Sequence, residues 1–268
     1  MQKMIVLGTG NAIVTKCYNT CFALQQQEEY FLVDAGGGNQ ILFQLNQAGI
    51  PLTHIHHLFV SHEHTDHILG VVWLVRMIGA LIKTGKYTGT FNIYCHQQLV
   101  STIKTLCHLT LQKQLTDCFD HEICFHGLND GDTRMILEHE VVFFDILSTK
   151  AKQYGFTFIN DNQEKITFAG DEPYNKACDY YVRNSDWLLH EAFCLYSQKD
   201  IYRPYEKHHS TAKDAAVLAS ELGVKHLVLW HTEEDNLSKR KELYTNEAQQ
   251  YFQGDIYVPD DLDIISLY

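Results

Sequence analysis

Proline is scarce in this chain, with four residues in 268. No Ser/Gly-rich stretch or charge run interrupts the pattern either, so nothing marks an interdomain linker. The chain therefore reads as one domain, residues 1–268. Basic residues are also in deficit, 21 Lys and Arg against 33 Asp and Glu. The resulting net charge of −12 argues against a general nucleic-acid or anionic-membrane binder. No Cys-x-x-Cys pair occurs among the eight cysteines, which argues against a cysteine zinc knot. Several of these cysteines sit in apolar runs and read as reduced core residues of a cytoplasmic protein. No apolar run approaches a membrane span, and Met1-Gln2-Lys3-Met4 leads directly into a strand. Neither a membrane partner nor a signal peptide is expected.

What is present is concentrated in Ser61-His62-Glu63-His64-Thr65-Asp66-His67. Three histidines, a glutamate and an aspartate take five of the six positions 62–67, one residue after the apolar run Leu58-Phe59-Val60. That run reads as a buried strand, and polar chemistry at a strand exit is where open α/β sheets place their sites. Imidazole with carboxylate suits zinc, with iron or manganese as alternatives. The spacing lets the cluster face two neighbouring cations, His62 and His64 on one side, Asp66 and His67 on the other.

The same arrangement recurs along the chain. Asp34 follows the strand Tyr30–Val33, Asp171 follows Ile166–Ala169 through Gly170, His190 and Glu191 follow Trp187–Leu189, and His231 follows Leu227–Trp230. Five polar strand exits can converge on one sheet edge. Further strands are predicted at Met4–Leu7, His56–Val60, Phe91–Tyr94, Glu140–Leu147 and Gly155–Asn160, with a final one at Asp255–Tyr257. Helices are predicted at Gln40–Gln47, Ile68–Ile82, Gln98–Leu109, Thr211–Leu222 and Leu237–Gln250. Neither half is a clean βαβ repeat, so two sheets with helices outside them fit better than one doubly wound sheet. Trp73, Trp187 and Trp230 lie in apolar runs and read as core. Lys150, Lys152, Tyr154 and Arg203-Pro204-Tyr205 are candidates for contacting a phosphate, each with solvation as the plainer reading.

With these residues in place, the chain resembles the metallo-β-lactamase superfamily and, within it, the ribonuclease Z-like branch. The resemblance rests on Leu7-Gly8-Thr9-Gly10-Asn11, Phe31-Leu32-Val33-Asp34-Ala35-Gly36, the Ser61–Gly70 segment, Phe168-Ala169-Gly170-Asp171, Leu188-Leu189-His190-Glu191-Ala192, His208-His209-Ser210-Thr211-Ala212 and Leu227-Val228-Leu229-Trp230-His231. It implies an αββα sandwich, two mixed β-sheets flanked by helices, with a divalent-metal centre on one edge. It implies that His62, His64 and Asp171 hold one ion, and that Asp66, His67, Asp171 and His231 hold another. Asp66 would contact the attacking water, and Glu191 with His209 would help protonate the leaving oxygen. The implied activity is metal-dependent hydrolysis, most simply of a phosphodiester.

Two departures from the family pattern shape the expectation. A third metal histidine should fall between the strand Val141–Ile146 and Tyr154, where this chain has only Leu147, Ser148 and Thr149. Water or Asp145 would have to substitute, or the first ion is weakly held, giving one or two ions per chain. The Gly- and basic-rich arm that clasps tRNA is also absent, since Tyr154 to Asp171 has room only for a hairpin. The expected substrate is therefore a small phosphodiester or other ester, with RNA, as in tRNA 3′ processing, the less favoured alternative. A non-catalytic metal-binding or sensor protein is the other reading, but such a protein needs none of Asp66, Glu191 and His209. A homodimer is left open.

Overall fold

Along β1 (Lys3–Gly8), Met4 and Val6 point to one side and Ile5 and Leu7 to the other, and all four are buried. A strand apolar on both faces belongs to a sheet covered on both sides. The computed structural model, which describes residues 1–268, provides that cover with two packed sheets and two helical layers. The first sheet holds β1, β2 (Cys21–Gln26), β3 (Glu29–Val33), β4 (Ile55–Phe59), β5 (Phe91–His96), β6 (Ile123–Leu128) and β14 (Ile264–Ser266), in the order β14-β1-β2-β3-β4-β5-β6. The second holds β7 (Thr133–Ile136), β8 (His139–Asp145), β9 (Tyr154–Ile159), β10 (Lys165–Phe168), β11 (Trp187–Glu191), β12 (His226–Trp230) and β13 (Asp255–Tyr257), in the order β13-β12-β11-β10-β9-β8-β7. Both sheets are mixed: β3 to β6 and β10 to β13 run parallel, and the remaining pairs are antiparallel.

Between the sheets lies an aromatic core that includes Phe22, Phe31, Phe59, Phe143, Phe156, Phe168, Trp187 and Trp230. Outside the first sheet pack α1 (Gln40–Gln47), α2 (Thr65–Lys83), α3 (Gln97–Thr110) and the short α4 (Lys113–Thr116). Outside the second lie α5 (Asp179–Val182), α6 (Lys199–Tyr202), α7 (Ala212–Leu222) and α8 (Arg240–Ala248). This is the expected αββα sandwich. The helix predicted over Leu237–Gln250 is a 3₁₀ turn at Leu237–Lys239 followed by α8. Asp255–Tyr257 is not the last strand, because β14 follows it and closes the edge of the first sheet. Trp73 is not core: it is 38% exposed, on the outer side of α2 with Leu69 and Met77. At 19 residues and mean hydropathy 1.5, α2 is long and apolar enough to cross a membrane by length and composition. Here its Ile68, Val71, Leu74, Val75 and Ile78 are buried against the first sheet.

One close approach sets the start of α2. The Gly70 N–H donates to Gly36 O at 2.9 Å, and a Cβ on Gly70 would stand 1.8 Å from Ala35 O. Only glycine fits there. The contact pins the first turn of α2, which carries Asp66 and His67, against the exit of β3.

Candidate metal centre

The C-terminal ends of the parallel strands β3, β4, β10, β11 and β12 meet at one edge of the sandwich, and the polar strand exits gather there. Asp171 is the hub. Its Oδ2 lies 3.7 Å from His62 Nε2, 3.5 Å from His67 Nε2 and 3.4 Å from His231 Nε2. Asp66 Oδ2 lies 3.3 Å from His67 Nε2 and 3.5 Å from His231 Nε2. On the opposite side His62 Nε2 and His64 Nδ1 are 2.8 Å apart. Ligand atoms fall into two trios, His62–His64–Asp171 and Asp66–His67–His231, each within 4.8 Å. All six residues singled out as metal ligands in the sequence are thus brought together.

The donor set fits divalent cations on its own chemistry. His67 Nε2 and both ring nitrogens of His231 are buried without a hydrogen-bond partner. Such orphaned polar atoms are costly unless something else satisfies them. Nitrogen and oxygen atoms bound tetrahedrally at about 2.0–2.1 Å from one zinc lie roughly 3.4 Å apart, which matches the His67, His231, Asp66 and Asp171 separations. The histidines and carboxylates of the site also charge one another: burial lowers His67, but Asp66 and Asp34 outweigh it and hold the ring well above its usual value. Burial raises the Asp171 carboxyl, but His62, His67 and His231 outweigh it and hold it well below the ordinary range. Burial likewise raises Asp66, and His67 with His231 reverse that too. Burial pushes His62 well below its usual value, toward the neutral ring that a metal ligand must be.

Asp34 organises the ligands from behind. It is 1% exposed, and its Oδ2 accepts from His67 Nδ1 and from Ser61 Oγ, both at 2.8 Å, while Oδ1 accepts the Ser61 backbone N–H at 2.8 Å. Ser61 Oγ is in turn 2.9 Å from His62 Nδ1. Both histidines are therefore set with Nδ1 toward the support and Nε2 toward the centre, a carboxylate–histidine arrangement typical of metal sites.

The missing histidine leaves a definite structure. Asp145 does not substitute, since its carboxylate pairs with Lys152 at 2.9 Å and accepts the Leu147 N–H at 2.8 Å. Thr149 is also turned away, its N–H donating to Glu172 and its hydroxyl lying 2.9 Å from His208 Nδ1. The side chain that reaches the His62 side is Gln153, 1% exposed, with Nε2 donating to Asp171 Oδ1 and lying 2.9 Å from His62 Nδ1. Nothing in the polar stretch Lys150-Ala151-Lys152-Gln153 signals this. Its place next to the first residue of β9 is the only hint.

Glu191 and His209 form the second half of the site. Trp187, Leu189 and Glu191 share the inter-sheet face of β11, so strand alternation aims Glu191 at the edge. Its Oε2 is 2.8 Å from His209 Nδ1, and its Oε1 accepts the Ser210 N–H at 2.5 Å. The His209 ring stacks on Phe193, centroids 4.6 Å apart, and lies 5.3 Å from the His231 ring. Burial pushes Glu191 well above its usual range and His209 down to about 4. The cap of α7 is Thr211, in a capping box with Asp214, which leaves His209 outside the helix. His208 is exposed, as expected for a neighbour outside the site. Over these groups opens a cleft of about 480 Å³, lined among others by Asn11, Ile13, His64, Lys150, Phe193 and Lys207.

Comparison with known proteins gives a consistent picture. A family model described as Anti-Pycsar protein Apyc1 matches residues 2–251. Ribonuclease Z of Phocaeicola vulgatus is 34% identical, over 97% of this chain and 96% of its own length. Among solved structures, the metallo-β-lactamase fold protein YhfI of Bacillus subtilis superposes with a TM-score of 0.80 at 18% identity, covering 99% of both chains. The short form of human tRNase Z does so with a TM-score of 0.75 at 20% identity, again covering 99% of both.

Proposed function

The chain belongs to the Anti-Pycsar protein Apyc1 family and to the ribonuclease Z-like metal-dependent hydrolases of the metallo-β-lactamase superfamily, and from that we propose that it hydrolyses a small phosphodiester. The observation that carries the reading is the pairing of the Asp66–His67–Asp171–His231 ligand set with a preformed Glu191–His209 dyad beside one cleft. We assign zinc to the centre, held firmly by Asp66, His67, Asp171 and His231. On the side of His62 and His64 no third imidazole is supplied, Gln153 instead donating to Asp171 Oδ1 and lying against His62 Nδ1, and a second ion binds there more weakly. Its eight free cysteines fit a reducing, cytoplasmic compartment.

Divalent cations held here supply Lewis-acid polarisation of the phosphoryl group and acidification of water. The chain's own residues supply placement and proton traffic. Asp66 orients the attacking water toward phosphorus. Glu191 accepts from His209 Nδ1 and fixes the ring with Nε2 toward the cleft; the neutral ring would first take up a solvent proton on Nε2, forming an imidazolium that Glu191 supports, and then hand that proton to the leaving oxygen. Phe193 stacks on that ring and keeps its plane. A non-catalytic metal protein would have no use for this dyad.

A cleft of about 480 Å³ suits a small ligand better than a folded RNA. The alignment with the Phocaeicola relative runs over 320 residues, longer than this chain, so that relative carries insertions absent here. The second reading, tRNA 3′ processing, is favoured by that relative's name and identity. One experiment separates them: zinc-loaded protein is assayed on bis(p-nitrophenyl) phosphate and on precursor tRNA. We expect chelator-sensitive turnover of the diester and poor cleavage of the RNA. Efficient, site-specific RNA cleavage would establish the second reading, and no turnover of any phosphodiester with any divalent ion would sink both.

A further inference from the structure

The loop between β8 and β9 lacks the histidine its position calls for, yet it is held firmly over the site. Leu147 adopts a left-handed backbone, φ 58°. Glu172, buried beside the hub Asp171, accepts from Ser148 Oγ at 2.6 Å and from the Thr149 N–H at 3.1 Å. This clasp brings Lys150 to the cleft, where its Nζ lies 3.3 Å from His209 Nε2 and 3.8 Å from Glu172 Oε1. The side chain is only 22% exposed. An ammonium has three N–H donors, and of these only the one toward His209 has a hydrogen-bond partner. Lys150 shares the cleft wall with His64, Asp66, Asp171 and His231. The residue lies at the surface, but its ammonium is turned inward onto the cleft wall, beside His209 and toward where the reacting group must sit, rather than out into solvent.

We propose that Lys150 is a substrate-specificity residue whose ammonium donates to a non-bridging oxygen of the substrate's phosphoryl group. The assignment rests on the phosphodiester reading above and adds to it what recognises the anionic charge. The loop that would bring an imidazole to the first ion brings a fixed positive charge instead. Lys150 selects substrates with an anionic oxygen at that point over neutral esters of the same size, because an anionic oxygen adds charge attraction to the hydrogen bond. Glu172 is the positioning residue for the loop.

The test uses zinc-loaded, full-length protein with Lys150→Met and Lys150→Arg. Steady-state kinetics on bis(p-nitrophenyl) phosphate are measured beside calorimetric binding of inorganic phosphate, metal content and Tm. Lys150→Met should raise KM and weaken phosphate binding by about ten- to a hundredfold, the loss typical of a hydrogen bond to a charged group. Metal content and Tm should stay at wild-type values, and Lys150→Arg should recover most of the binding. Wild-type KM and phosphate affinity in Lys150→Met, within twofold, would overturn the assignment. Should Lys150→Met lose its fold, Lys150→Gln takes its place: weakened phosphate binding at unchanged Tm supports the role, and wild-type affinity contradicts it. If the wild type turns over no phosphodiester, the functional reading fails by itself, while phosphate calorimetry on wild type and variant still decides the role of Lys150.

Discussion

Asp34→Asn is the most discriminating single change to the metal centre, because it turns one carboxylate oxygen into an NH2, removing the charge with almost no change of volume. Asp34 accepts three hydrogen bonds at 2.8 Å, from Ser61 N, Ser61 Oγ and His67 Nδ1, in a site only 1% exposed. Asparagine tolerates the left-handed backbone found there, φ 56°, so backbone strain stays constant. Its amide, however, must turn an N–H either toward the Ser61 N–H or toward His67 Nδ1. The first orientation leaves a buried backbone donor unsatisfied and costs about 1–3 kcal/mol of stability. The second forces His67 to carry its proton on Nε2, the atom that faces Asp66 and Asp171, and should weaken metal binding by roughly 10–100-fold. Urea unfolding of the metal-free protein reads the first outcome, and zinc titration by calorimetry reads the second. We expect one of the two to move by at least the lower figure. An Asp34→Asn protein with wild-type zinc affinity and wild-type apo stability would refute the view that Asp34 sets the ligand tautomers. Asp34→Ala should be worse on both measures, since it abandons all three donors.

Three further outcomes are expected. His209→Ala should lower turnover by roughly a hundredfold or more, as loss of a general acid does, with metal content by mass spectrometry unchanged; an unaltered rate would remove His209 from the mechanism. Zinc titration of the apo-protein should show two unequal affinities, and His231→Ala should abolish the tighter one while His64→Ala affects the weaker; two equal sites would contradict the role given to Gln153. Remote from the centre, burial, with His56 and His126 adding to it, pushes His57 down to about 4 from 6.5. Its stability contribution is complete above pH 6.5 and is lost as pH falls toward 4, because there the unfolded chain binds a proton that the folded one refuses. The urea midpoint should therefore drop less between pH 7 and 4.5 in His57→Gln than in wild type, a difference that vanishes if His57 titrates normally.

Legibility in the sequence followed burial. Elements with a clear pattern were readable almost to the residue: the amphipathic α1 at Gln40–Gln47 coincides with expectation, and the apolar, central β12 begins at His226, one residue before the run Leu227–Trp230. The four strands that were not anticipated are β2, β6, β7 and β14, and three of them are sheet edges. An edge strand is paired on one side and half exposed, so its apolar pattern is diluted. In β6, Cys124, Phe125, His126 and Gly127 are all only partly buried, and no alternation survives. β2 is central, but it ends in Gln25-Gln26 ahead of Gln27-Glu28-Glu29, which reads as a polar turn. At the site, the six ligand candidates and the Glu191–His209 pair announce themselves as rare polar types after apolar runs. Gln153 and Glu172 do not, and Lys150 stands out only as one of several phosphate-contact candidates, because these roles come from contacts across the chain: Gln153 reaches His62 over 91 positions and Lys150 reaches His209 over 59.

The backbone at two strand exits explains how a regular sandwich delivers side chains to one edge. In β3, Phe31 and Val33 face the inter-sheet core while Tyr30 and Leu32 face the helices, so plain alternation would send residue 34 to the helical side. In β12, Val228 and Trp230 face inward and Leu227 and Leu229 outward, so residue 231 would also be carried away from the centre. Both positions instead adopt left-handed backbone, φ 56° at Asp34 and φ 56° at His231. That conformation is unfavourable for a residue with a side chain, by about 1–3 kcal/mol, and persists only where surroundings impose it. At Asp34 the three accepted hydrogen bonds offset the strain within the protein itself. At His231 no such compensation exists, because both ring nitrogens are buried and unpartnered. The strain at His231 is therefore the kind that ligand binding relieves. Metal loading should raise the Tm of the wild type more than that of His231→Asn, which keeps the left-handed turn but loses the imidazole. Equal metal-induced shifts in the two proteins would show that His231 is bent toward the centre for some reason other than holding a cation.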